Sequence, residues 1–368
     1  MEDMYEERAI PDLRLLAWEL TRRCNLRCMH CRAAANDAPL EGEIDKEGCI
    51  EIMKQIAYVS NPIIILTGGE PLLRDDIFDI SAYGTEVGFR MVMATNGTLL
   101  DRPIIREMKL AGIKRVSISI DGPTSVDHDR FRGVDGAFEE VIHGIELLKE
   151  ENLEFQINTT ISRKNVEQLQ DIMDLAIKYG ASAHHIFLLV PTGRAKNMKD
   201  QQINAEEYEK LLRLIYNISR KLPIHVKLTC APHYYRILRE EAAKSGEKVD
   251  FDTYGFDAIT RGCLGGIGFC FISYDGIIQP CGYLELNCGD LHKNDFDFIW
   301  NNSEVFINLR DFSKYKGKCS KCEYIRFCGG CRARAYEATG DYLAAEPLCI
   351  YVPREKQREE SGNLNGQN

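Results

Sequence analysis

Six short apolar runs, each followed by an amphipathic helical stretch, constrain this chain more than any other feature. The runs fall at 15–20, 63–66, 90–94, 116–120, 155–160 and 184–190, with helical stretches near 45–59, 75–87, 102–111, 137–150, 166–179 and 205–221. Parallel strands need a crossover that returns the chain to the same end of the sheet. The alternation therefore predicts an α/β fold with a parallel sheet and covering helices. Six units point to a TIM-like barrel or a partial barrel more than to an open sheet, although alternation alone does not decide closure. In both forms the loops leaving the carboxyl ends of the strands build the active site.

Those loops carry the unusual residues. The first run leads into Cys24-x3-Cys28-x2-Cys31. Three thiolates on one loop can hold three corners of a four-iron cluster, and no fourth cysteine follows at comparable spacing. An iron left with an open position can bind and activate a small molecule. A structural zinc with His30 as fourth ligand is the competing reading. Zinc usually closes with two spaced pairs, however, and His30 lies too near Cys28 and Cys31 for a relaxed tetrahedron. Gly68-Gly69-Glu70-Pro71 follows the second run. Two residues without Cβ let backbone approach a ligand, and Glu70 offers a carboxylate to an ammonium group; the alternative is an ordinary strand–helix turn. Thr95-Asn96-Gly97 follows the third run. Ser119 and Asp121 share a face at the end of the fourth, where a carboxylate can take ribose hydroxyls or cap the next helix. Asn158 and Thr160 end the fifth. Arg194 follows the sixth, either as a planar fork for a carboxylate or as a surface arginine.

With 368 residues the chain has room for one large domain and a smaller one. Its 46 basic and 56 acidic residues give a net charge of −10, which argues against a broad basic surface for nucleic acid. Local basic pockets for an anionic small molecule remain open. The first residues are acidic and lack the apolar core of a signal peptide, and no apolar run approaches a membrane span. Fourteen cysteines without an export signal therefore speak for metal or redox chemistry in a reducing cytoplasm. The expected organisation is a tail at 1–12, a barrel at 13–221 and a mixed connecting segment at 222–262. A cysteine-rich domain at 263–352 relies on metals where its core is thin, and a disordered tail occupies 353–368.

Together, Cys24-x3-Cys28-x2-Cys31 and Gly68-Gly69-Glu70-Pro71 resemble the radical S-adenosylmethionine (radical SAM) enzymes. The resemblance covers residues 15 to about 194 and implies a partial (β/α)6 barrel. It also implies a four-iron cluster whose open iron takes the methionine amino and carboxylate groups of S-adenosylmethionine. One electron then yields a 5′-deoxyadenosyl radical. Gly68, Gly69, Glu70, Asn96, Ser119, Asp121, Asn158 and Arg194 are the residues expected to hold that cofactor.

Cys263-x6-Cys270, Gly276-x4-Cys281, Cys319-x2-Cys322-x5-Cys328-x2-Cys331 and Cys349 supply eight more thiols, the capacity of two four-iron clusters. A zinc ribbon would account for Cys319 to Cys331 alone. The arrangement resembles the SPASM extension of the same enzymes. That resemblance implies one auxiliary cluster on Cys263, Cys270, Cys281 and Cys331 and another on Cys319, Cys322, Cys328 and Cys349. The sequence departs from the usual pattern at Cys328-x2-Cys331, where three residues normally intervene. Of the remaining cysteines, Cys49 reads as core, Cys230 as lining a substrate cavity and Cys288 as a substitute ligand.

The run from Cys328 to Tyr342, with Thr229-Cys230-Ala231-Pro232-His233-Tyr234-Tyr235 and Arg261-Gly262-Cys263-Leu264-Gly265-Gly266, is similar to the subgroup acting on heme and heme d1 precursors, and looks most like the anaerobic heme b synthases. The resemblance implies iron-coproporphyrin III as substrate and oxidative decarboxylation of two propionates to vinyls. The electron released has an auxiliary cluster as its first acceptor; the sequence names neither the external electron donor nor the final acceptor. His233, Arg236, Arg332 and Arg334 are the candidates for holding the propionates or the heme iron. The runner-up is another SPASM enzyme, either a remover of tetrapyrrole side chains or a peptide maturase. The dozen residues before Leu13 are few for a maturase's recognition domain. A non-catalytic electron carrier would need no six-unit barrel.

Overall fold

The computed structural model describes residues 10–38 and 40–354. The tails expected at 1–12 and 353–368 lie largely outside the described residues. Seven strands run in order: β1 (Leu15–Glu19), β2 (Ile63–Thr67), β3 (Arg90–Thr95), β4 (Val116–Ser119), β5 (Phe155–Ile161), β6 (Ala183–Leu188) and β7 (His225–Thr229). Each pairs in parallel with the next. The helices between and after them are α1 (Lys46–Val59), α2 (Ile77–Glu86), α3 (Arg102–Leu110), α4 (Ser125–Arg132), α5 (Ala137–Glu150), α6 (Leu169–Tyr179), α7 (Ala205–Ser219) and α8 (Tyr234–Ser245).

Three short strands follow: β8 (Phe269–Ile272), β9 (Ile277–Gln279) and β10 (Gly289–Asp290). They do not form a sheet of their own. β8 joins β1 in parallel, from Leu15 opposite Phe269 to Trp18 opposite Ile272. One sheet therefore runs β10-β9-β8-β1-β2-β3-β4-β5-β6-β7, and its ends at β10 and β7 do not pair with each other. The barrel is partial, and the cysteine-rich region extends it. β7 lies within the stretch expected only to connect the two parts. Its sequence, His-Val-Lys-Leu-Thr, alternates polar and apolar residues at a sheet edge, so it lacks the continuous apolar run of a central parallel strand.

Alternation along the strands decides which face is core. Leu16, Trp18, Ile64, Leu66, Met91 and Met93 are fully buried and pack with Ile56 of α1 and Ile80 of α2. Each such side chain contributes about 1.5–3 kcal/mol when withdrawn from water. The opposite face bears polar groups, including Glu19, Gln156, Asn158 and His185. Gln156 Nε2 donates to Asn158 Oδ1 at 2.9 Å and shares a 3.0 Å hydrogen bond with His185 Nδ1. A face of this polarity cannot serve as a second hydrophobic core.

Side-chain caps place the helix starts. Asp45 accepts from Gly48 N at the start of α1, and Asp101 accepts from Ile104 N at the start of α3. Asn204 and Glu207 form a reciprocal capping box on α7. A separate short helix, α4, precedes α5; Thr124 caps it and the left-handed Gly133 ends it. It delivers Arg132 to the rim.

Candidate active site

β1 ends on Glu19, a fully buried carboxylate that ties down both ends of the cysteine loop. Its Oε2 accepts from Arg22 Nε at 3.1 Å and its Oε1 from Arg32 Nη1 at 3.2 Å. The loop's first residues run against the turn after β2. Gly69 N donates to Thr21 O and Glu70 N to Arg23 O, both at 2.7 Å. A Cβ on Gly68 would stand 2.4 Å from Thr21 O, and one on Gly69 2.3 Å from Arg23 O. The close approach expected toward a ligand is here an approach of the chain to itself, and it sets the position of the cysteine loop.

Glu70 is committed in the same way. Its carboxylate accepts from Leu72 N at 3.1 Å, Thr95 Oγ1 at 2.8 Å and Asn96 N at 2.7 Å. Burial raises its pKa to about 7 against the pull of those donors. It clamps the turn after β3 instead of standing free for an ammonium group. That turn presents Asn96, whose Nδ2 donates to Asn25 Oδ1 at 2.8 Å and points to Cys24 Sγ at 3.9 Å.

Asp121 also departs from expectation. It is 1% exposed, takes Thr160 N on Oδ1 at 2.7 Å and pairs with Arg132 across 2.6 Å. A carboxylate so enclosed is held by protein groups. Ser119 and Asn158 stand side by side on β4 and β5, half-buried on the polar face. His30 lies 3.6 Å from Asp121 and against Phe131; burial lowers its pKa to about 4, which leaves the ring neutral. Arg194 is no surface arginine: Nε donates to Cys28 O at 2.8 Å and Nη1 to Ala35 O at 2.5 Å. Its Nη2 is buried without a partner, the one arm left for an anion.

The sulfurs themselves sort the cysteines. Cys24 accepts from Leu26 N at 3.4 Å, Cys281 from Tyr283 N at 3.2 Å and Cys328 from Gly330 N at 3.4 Å. Cys322 and Cys349 accept likewise from the backbone of Tyr324 and Tyr351. In each case the donor lies two residues on, a turn that supports a negative sulfur. Arg132 Nη1 adds a bond to Cys28 Sγ at 3.6 Å, and Arg332 Nη2 one to Cys319 Sγ at 3.9 Å. Such N–H···S contacts fit iron–sulfur ligands, whose charge they offset. Cys49 and Cys288 do the reverse and donate to Ile44 O and Leu286 O. Burial pushes Cys24 and Cys281 up to about 12, so metal binding there must release protons, whereas the hydrogen bond from Cys230 lowers Cys331 to about 6. Among the described residues, no three His, Cys, Asp or Glu side chains stand close enough to share one metal ion. The corners of an iron–sulfur cube are more widely spaced.

Cys319, Cys322, Cys328 and Cys349 line one cavity beside His233. Cys263, Cys281 and Cys331 lie in the neighbouring part of the domain, where Cys263 N bonds Cys328 O and Cys281 faces both other thiols. Cys270 does not join them. On β8 it pairs with Leu16, is fully buried on the helix side and neighbours Cys288 and Arg310. Cys288 is packed into the same core. Strand alternation is the cause: Phe271, one residue on, faces the other way and lies under Arg32 at 4.4 Å.

The four residues expected to grip the substrate are internal. His233 shares a 3.0 Å hydrogen bond with Tyr208 and lies 3.0 Å from Glu346. Burial opposes its charge, but Glu346 and Cys349 outweigh that and raise its pKa to about 9. Arg334 pairs with Glu346 at 2.6 Å and donates to Cys230 O at 2.8 Å. Arg236 pairs with Glu209 and Glu240, and Arg332 donates to Gly330 O, Tyr342 O and Ala344 O. Each is about 2% exposed or less; His233, Arg332 and Arg334 tie down the cysteine-rich region, and Arg236 joins α8 to α7. The sequence offered no sign of Arg132, Glu346 or Tyr283, because their roles depend on partners dozens of residues away.

A model of the radical SAM superfamily matches residues 18–176, and one of an iron–sulfur cluster-binding domain, SPASM, matches residues 263–323. The chain is 52% identical over 344 residues to the AdoMet-dependent heme synthase of Nitratidesulfovibrio vulgaris, covering 94% of both chains. The chain belongs to the radical SAM superfamily, among the AdoMet-dependent heme synthases. This radical SAM enzyme is also 48% identical over 343 residues to the AdoMet-dependent heme synthase of Methanosarcina barkeri, covering 93% of its own length and 98% of the relative's. The Fe-coproporphyrin III synthase of the same organism is 30% identical over 361 residues, with 93% and 88% coverage. Solved structures share the fold. Streptococcus suis SuiB matches with a TM-score of 0.73 at 16% identity, over 93% of this chain and 78% of that one. The protein anSMEcpe matches with a TM-score of 0.68 at 20% identity, over 96% and 98%. The enzyme's cofactors are S-adenosylmethionine and iron–sulfur clusters. No described helix is long and apolar enough to cross a membrane.

Proposed function

We propose that this enzyme acts on a tetrapyrrole, converting iron-coproporphyrin III to heme b in a reducing cytoplasm. The observation that carries this reading beyond the relatives' names is that a side chain of the cysteine loop reaches the backbone beside Cys281. Arg32, which follows Cys31, is 3.0 Å from where a Cβ on Gly282 would stand, and Gly282 follows Cys281. Tyr283, whose N donates to Cys281 Sγ at 3.2 Å, lies within reach of the charges of Arg32 and Cys31 as well. Oxidative decarboxylation needs both functions at one substrate. Each propionate loses a hydrogen atom from its β-carbon, then carbon dioxide and one electron, and the two remaining carbons form the vinyl group.

Cys24, Cys28 and Cys31 are the residues that hold the radical-generating cluster, and Cys319, Cys322, Cys328 and Cys349 hold an auxiliary one. When bound at the first site, S-adenosylmethionine supplies the radical that takes the hydrogen. Arg194 offers Nη2 to the methionine carboxylate, while its other arms keep the loop in place. Asn96, Ser119 and Asn158 form the polar rim for the nucleoside. Gly68, Gly69 and Glu70 hold the loop against the strand ends. Arg32 and Tyr283 wall the space between the two sites and keep water from it. An external electron donor and acceptor complete the cycle.

Anaerobic reconstitution with S-adenosylmethionine, a strong reductant and iron-coproporphyrin III, followed by mass analysis of the pigment, tests the reading. Stepwise loss of two carboxyl groups through a monovinyl intermediate is expected. Cofactor cleavage with an unchanged pigment overturns the substrate assignment.

A further inference from the structure

The cysteine left over in the sequence and the cysteine stranded by the fold belong to one problem. Cys263, Cys281 and Cys331 make three ligands, and Cys270 is turned into the apolar layer beneath β8. Bringing it round would require a one-residue slip of β8, which would throw Phe271 into the core and Ile272 out of it.

Cys230 already stands at the vacant corner. Its thiol is hydrogen-bonded to Cys331 and next to Cys281, and the three share a small cluster with Val190 and Leu284. It follows β7, where Val226 and Leu228 point into the apolar core. Continued alternation would send residue 230 the same way. Instead Cys230 has φ of +57°, one of three described residues other than glycine with positive φ. That conformation is uncommon for a side chain of this kind and persists only where the surroundings impose it. The surroundings are visible. Arg334 Nη2 grips Cys230 O at 2.8 Å, three residues from Cys331. Pro232 packs against Gly262, the neighbour of Cys263, so closely that a Cβ there would stand 2.4 Å from it.

We propose that Cys230 replaces Cys270 as the fourth thiolate of the Cys263, Cys281 and Cys331 site, so that one auxiliary iron–sulfur cluster draws its ligands from β7's end as well as from the cysteine-rich region. The proposal rests on the reading that this region holds clusters. It assigns Arg334 as a positioning residue that fixes the Cys230 backbone.

The test uses the full chain with Cys24, Cys28 and Cys31 replaced by alanine, so that iron and sulfide report only on the C-terminal sites. After anaerobic reconstitution, adding Cys230→Ala is expected to change that cluster's electron paramagnetic resonance signal, by opening one iron position, and to cost up to one cluster's share of iron and sulfide, about half. Adding Cys270→Ala is expected to change neither. Cys230→Asp, which keeps an anionic ligand, is expected to retain the iron with a shifted signal, a result that a misfolded protein would not give. Full iron with an unchanged signal in Cys230→Ala, an unshifted signal in Cys230→Asp or lost iron in Cys270→Ala overturns the proposal. No iron in the parent triple variant overturns the underlying reading as well.

Discussion

The cysteine loop after β1 and the cysteine sites after β8 use the same ligand chemistry but are specified over different ranges. Cys24, Cys28 and Cys31 lie within eight residues, on a segment clamped by Glu19 and by the turn at Gly68 to Glu70. Spacing alone therefore suffices to recognise them. The C-terminal thiols come from distant segments, and which of them meet depends on strand direction and on one left-handed residue. A ligand set confined to one loop is a property of sequence; one gathered across a fold is a property of topology.

The sharpest way to break this comparison is to remove one side of it. Cys28→Ala should abolish 5′-deoxyadenosine formation, assayed by chromatography, while iron bound by the C-terminal cysteines persists. Loss of all iron would mean that the two sites are not independent. Gly69→Ala tests whether the loop is held by backbone contact alone. A Cβ 2.3 Å from Arg23 O must displace the loop, and a shift of that order should lower cofactor cleavage by about 10²-fold. Arg132→Leu addresses the buried charge behind the loop. It leaves Asp121 unpaired, so unfolding measurements should show a loss of about 3–5 kcal/mol, with Arg132→Lys intermediate. The smallest effect concerns Glu70. Its folded pKa, about 7, is above its ordinary 4.5, so the folded state holds the proton more tightly. Its contribution to stability is therefore fully present below about 4.5 and is lost as pH rises through about 7. Melting curves across that range should show a decline that Glu70→Gln flattens.

The same contrast explains what could be read from the chain. The six strand–helix units and the placement of the unusual residues at one rim follow from local periodicity. β7 has no clear local signature because an edge strand alternates polar and apolar residues, and β8 has none because nothing local says that it will pair with β1, some 250 residues earlier. At the site, the cysteine loop was legible, whereas the partners of Glu70, Asp121, Arg194 and His233 were not. A charged residue's motif does not reveal whether its partner will be a ligand or another part of the chain. In this fold Glu70 and Asp121 serve the chain, Arg194 keeps one arm free, and His233, Arg236, Arg332 and Arg334 are fully enclosed.

The central claim is that the loop site removes hydrogen from a propionate beside the auxiliary cysteines. Iron-coproporphyrin III deuterated at the propionate β-carbons tests it most directly, with mass analysis of the 5′-deoxyadenosine formed in one turnover. Deuterium in that product, matched to vinyl formation, is the predicted result. Vinyl formation with unlabelled 5′-deoxyadenosine would contradict the account.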